Sequence, residues 1–125
     1  MNLTANLLAG WIGFLAGAIT GALLGLFFHH DSWLGGYGSW PRRLLRLGHI
    51  ACFGLGLLNL LFALSAATLP PSPFIRAASF LLILGLITMP LNCFLAAWRK
   101  PLRHAFFIPA GSTLLGIVCL LLAFP

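Results

Sequence analysis

The chain has 125 residues, is 61% hydrophobic and only 6% charged, and carries a net charge of +6. Soluble globular chains have roughly 25% charged residues, so this composition cannot cover a water-facing surface, and the bilayer is its natural solvent. The basic residues flank apolar stretches, which points to membrane orientation and anionic headgroups and gives nucleic-acid binding no support.

A spanning helix takes ~20 mostly apolar residues. Four such stretches are predicted, at about 7–28, 44–69, 74–98 and 101–124. The expected fold is an all-α membrane protein, an up-down four-transmembrane-helix bundle forming a single domain over residues 1–125.

Span 1 follows MNLTAN, which has no Lys or Arg. Its apolar run exceeds the ~7–15 residues of a signal-peptide core, so it reads as a retained helix. Gly13, Gly17, Gly21 and Gly25 recur at four-residue spacing and form one smooth strip. Such strips let a second helix approach closely. The candidate neighbours are another span of this chain or a separate subunit.

The first connection, HHDSWLGGYGSW, is long and glycine-rich. His29, His30, Asp31, Arg42, Arg43, Arg46 and His49 lie in or near it. Arg99, Lys100, Arg103 and His104 surround the third connection, and only Arg76 lies elsewhere. Because Lys and Arg favour short cytoplasmic loops, both termini are expected on the non-cytoplasmic side, in a bacterial inner membrane. Trp33, Tyr37, Trp40 and Trp98 suit an interfacial belt at the basic end.

Pro41 suits the first turn of span 2, Ser72-Pro73 the N-cap and first turn of span 3, and Pro101 the first turn of span 4. Counting inward from the basic end at ~1.5 Å per residue puts His49, Asn92, Thr20, Thr88, Ser112 and Thr113 in the cytoplasmic half. Asn59 alone falls near the midplane. Pro90 and Pro109 free the carbonyls of Leu86 and Ala105. A pocket formed by Asn92, Pro90, Pro109 and Thr88 would serve a small transporter, channel or membrane enzyme.

His49 and His104 are candidate ligands for a b-type haem between facing helices, with Arg46 and Arg103, beside Arg42 and Arg43, near its propionates. His29 and His30 are alternative ligands, and Gly54 and Gly56 would leave room for a macrocycle. The same His49 and His104 are candidate metal ligands. So are His49 with Cys52 and Cys93, and His29 with His30 and Asp31. The commoner situation for such residues is an interfacial or hydrogen-bonded histidine.

No carboxylate lies within a span, which removes the key group of proton-coupled export by a membrane-embedded acid. GxSxG, HExxH, CxxC and P-loop patterns are absent. Cys52, Cys93 and Cys119 all fall inside spans and read as small buried hydrophobes. The stretch MPLNCFLAA (Met89–Ala97) resembles the end of the third helix in anthrone-oxygenase-like four-helix membrane proteins, over those residues alone. The leading expectation is an accessory or structural subunit of a larger membrane complex, such as a respiratory or redox one, rather than an enzyme. Its partners would be the lipid bilayer and either other membrane subunits or further copies of itself.

Overall fold

The computed structural model describes residues 3–125. They form four α-helices: α1 (Thr4–Leu26), α2 (Trp40–Ala66), α3 (Pro73–Trp98) and α4 (Phe107–Leu121). A 3-10 segment, Lys100–Phe106, leads into α4, and a short 3-10 turn, Trp33–Gly35, lies in the first connection. Four stretches are long and apolar enough to cross a membrane, the fourth being Lys100–Leu121.

The helix starts have local causes. Ser39 caps α2 by accepting from the Arg42 amide at 3.4 Å, with Pro41 in the first turn. Ser72 caps α3 by accepting from the Ile75 amide at 3.2 Å, with Pro73 next. Both place a proline where a missing N–H leaves no bond unmade. In the first connection, Leu34 (φ 53°), Gly35 (φ 86°) and Gly36 (φ 93°) adopt left-handed backbone in succession and reverse the chain.

The fourth span departs from expectation. Pro101 opens a 3-10 segment, and regular α-helix starts only at Phe107. Pro109 offers no N–H to the Ala105 carbonyl, and its ring opposes an α-turn before it. It therefore sits in the first turn of α4 instead of kinking its middle. Pro90 does lie inside α3.

Each helix packs broadly against its sequence neighbours, while α1 touches α3 only slightly. The burial is uneven: 44% of the apolar stretch of α3 is buried, against 17% for α1 and 17% for the fourth span. Leu8, Leu15, Leu23, Leu64, Phe80, Leu114 and Leu121 all point outward. Water would penalise such a surface, whereas lipid does not, and helix association then depends on close packing and polar bonds. One buried cluster, Phe62, Ala66, Ile75, Ala78 and Leu82, closes the end near the second connection. Leu44, Ala96 and Ala97 close the basic end. Lateral grooves remain between the helices, among them one of about 430 Å³ between α1 and α3 and one of about 570 Å³ between α2 and α4.

Candidate functional site

Gly10, Gly13, Gly17 and Gly21 of α1 face α2. A Cβ at Gly13 would lie 3.0 Å from the Cys52 carbonyl oxygen and 3.1 Å from Gly56 Cα. One at Gly56 would lie 2.9 Å from the Gly10 carbonyl oxygen. The two backbones are thus in contact. Further along, Gly17 meets the Phe53 ring and Gly21 meets the His49 imidazole, where a Cβ would come within 2.5 Å of Cε1. Gly25 faces open space.

His49 is half-buried in this seam. Its Nδ1 lies 2.9 Å from the Gly17 carbonyl oxygen, which can only accept, so Nδ1 carries the proton. The Thr20 hydroxyl, 3.4 Å from Nδ1, already donates to Ala16 O at 2.7 Å. Phe53 meets the imidazole edge-on at 5.4 Å. His49 thereby holds α2 to α1.

The most deeply buried polar groups lie towards the other end of the bundle, which corrects the expectation of a polar interior concentrated in the cytoplasmic half. Asn6 and Asn59 are both 0% exposed. Asn6 Nδ2 donates to Asn59 Oδ1 at 2.8 Å and to the Ser79 carbonyl at 3.2 Å, while the Ser79 hydroxyl donates to Asn6 Oδ1. Asn59 Nδ2 donates to Leu55 O at 2.9 Å and to Leu82 O at 3.1 Å. This network joins α1, α2 and α3. Asn6 had read as a flanking residue, but α1 begins at Thr4, and no local pattern pairs three residues so distant in sequence.

At the basic end two cations serve the fold. Arg42 is 5% exposed and donates through one guanidinium nitrogen to His30 O (3.3 Å) and Asp31 O (3.2 Å). It also lies over the Trp33 and Tyr37 rings at 5.5 and 5.7 Å. Arg46 donates to Tyr37 O at 3.1 Å and stacks on that ring at 3.8 Å. Phe27 stacks on Trp33 with centroids 5.0 Å apart. The first connection is therefore folded around two arginines. Trp40 Nε1 donates to Ala96 O at 2.8 Å, satisfying one of the last carbonyls of α3.

Asn92 closes the third connection. In the orientation that satisfies both partners, its Nδ2 donates to Leu102 O and its Oδ1 accepts from the Phe106 amide, each at 2.9 Å. The other expected pocket members point elsewhere. Thr88 donates back to Leu84 O at 2.7 Å. Pro90 lines the α1–α3 groove, and Pro109 is buried at the start of α4. Ser112 donates to Pro109 O at 3.1 Å. Thr113 Oγ1, buried against Gly85, has no hydrogen-bond partner.

The structure does not bring His49 and His104 together. His49 faces α1, whereas His104 and Arg103 are exposed on the 3-10 segment beyond α3. The tight contact of Gly21 with the imidazole leaves no gap for a macrocycle on that side, and Gly54 opens into the α2–α4 groove. Among the described residues no three His, Cys, Asp or Glu side chains converge on a metal position. His29 and His30 lie ring against ring, 4.0 Å apart, and both are exposed. The chain shows no match to a protein-family model, a curated protein or a solved structure.

Proposed function

We propose that this chain is an accessory, structural subunit of a larger membrane complex. It would lie in a bacterial inner membrane, with its basic connections in the cytoplasm and both termini on the other side. One contrast carries the reading. The polar side chains inside the bundle are spent on holding it together, while the outer faces of α1 and α4 stay apolar and free of other helices. Asn6, Arg42, Asn59, Asn92 and Ser112 are buried and all hydrogen-bonded within the chain, with Thr113 the exception. Such an interior suits a scaffold better than a solvated substrate path. The apolar flanks of α1 and α4 suit lateral association with other spans, whether of partner subunits or of further copies.

Extraction from native membranes in a mild detergent, followed by native mass measurement, tests this. The expected particle is larger than the 13.4 kDa chain and contains other membrane subunits or further copies. A stable lone monomer overturns the reading. Orientation is tested separately with an impermeant thiol reagent: Pro71→Cys should label on intact cells, and Ser32→Cys only after permeabilisation.

A further inference from the structure

The α2–α4 groove adjoins a polar cavity nearer the basic end, and together they offer an amphipathic channel. The groove, about 570 Å³, is walled by apolar side chains including Ala51, Leu55, Met89, Leu114 and Ile117. The cavity above it, about 330 Å³, is lined by Trp40, Arg43, Leu44 and Arg46. Leu47 and Ile50 belong to both. We infer that this channel seats one anionic glycerophospholipid of the basic-end leaflet, with its phosphate at Arg43 and Arg46 and one acyl chain along the groove.

Three observations converge on that occupant. The first is charge. Asp31 is the only acid in the chain, and among the described residues it forms no ion pair with Arg43 or Arg46. Arg43 is exposed, and Arg46 uses one guanidinium nitrogen on Tyr37, leaving donors on both for a phosphate. The second is depth. From Arg43 to Leu55 the helix rises ~18 Å, close to the ~15 Å of one leaflet of the hydrocarbon core. The third is shape. Gly54 opens on the groove with nothing within 4 Å of a Cβ built there, and Thr113, on the groove wall, turns its hydroxyl towards Gly85. An apolar helix from another protein would fill the groove but leave the cationic mouth unpaired.

The test is native mass measurement of the full chain with phosphatidylglycerol and phosphatidylcholine added in equal amounts. The wild-type chain should retain one phosphatidylglycerol in preference to phosphatidylcholine. Arg43→Gln should weaken that retention about fivefold. Gly54→Leu, whose Cβ meets nothing within 4 Å and whose side chain would enter the groove, should abolish it. Gly111→Leu, also placed in open space but outside the groove, should leave it unchanged, and circular dichroism should show all variants equally helical. Full retention by Gly54→Leu would overturn the seat. So would an equal loss in Arg76→Gln, since general charge attraction would then explain the binding. Co-purification of a protein in place of the lipid, lost in Gly54→Leu, would overturn it in favour of a helix partner.

Discussion

Asn6 Nδ2 stands 2.8 Å from Asn59 Oδ1, joining the start of α1 to the far half of α2 at a point where neither side chain is exposed. Ser79 and the Leu82 carbonyl bring α3 into the same network. Lipid tails give apolar helices little reason to prefer one another. Register among three helices then falls to directional bonds. An amide so placed specifies which turn of α1 meets which turn of α2, because a slip by one turn leaves both amides buried and unpaired.

Asn59→Ala should destabilise the bundle by about 1–2 kcal/mol, the upper range for a polar bond inside a membrane protein. Asn6→Ala should do the same. The double variant should cost less than both losses together, because each single change already breaks the shared bond. Unfolding in increasing sodium dodecyl sulfate, followed by helicity, measures all three. Strict additivity would show that the two amides act separately.

The α1–α2 seam yields a contrast between glycines. Gly56→Ala sets a Cβ against the Gly10 carbonyl oxygen, a backbone atom that cannot rotate away. Gly54→Ala, two residues earlier, meets nothing. The first should cost about 1–3 kcal/mol, in the range of overpacked cores, and the second almost nothing. Likewise Gly21→Leu should displace His49, whereas Gly25→Leu should be tolerated. The imidazole Cε1 proton resonance reports that displacement directly.

Four spans, their connections and the basic end were legible because each rests on local information: apolar length, loop charge and proline position. The cap at Ser72 belongs to the same class, whereas the one at Ser39 was not read. What stayed hidden depends on distance in sequence. Asn6 sits just ahead of the stretch read as span 1, and Ser79 resembles any hydroxyl in an apolar run, yet the two meet across α1 and α3. Depth counting placed His49 and Asn92 at similar levels without revealing that they serve different seams. Pro109 was misread for a related reason. Its effect on Ala105 is real, but it delays the α-helix to Phe107 instead of bending it.

Asn92 tethers the 3-10 segment to α3 through Leu102 and Phe106. Asn92→Ala should loosen residues 100–107 by about 1–2 kcal/mol, the cost of losing buried hydrogen bonds. Hydrogen exchange there should accelerate about tenfold, with the interior of α3 unchanged. Asn92→Asp retains the acceptor for Phe106 but turns a second oxygen towards Leu102 O, so the ionised form should be looser still. If exchange at Phe106 keeps its wild-type rate in Asn92→Ala, the tether does not hold the segment.

Arg42 and Arg43 are adjacent, yet only Arg42 is buried, bridging the start of α2 to the first connection through His30 O and Asp31 O. Arg42→Gln removes a charged donor fork and its contacts with the Trp33 and Tyr37 faces. Bonds to a charged group are worth about 1.5–3 kcal/mol when desolvated, so exchange across residues 30–38 should quicken about ten- to hundredfold. Arg42→Lys keeps the charge but loses the planar fork and should fall between the two. Arg43→Gln should leave the connection as ordered as in the wild type. Equal loosening by Arg43→Gln would mean that net charge at this end, and not the Arg42 geometry, orders the segment.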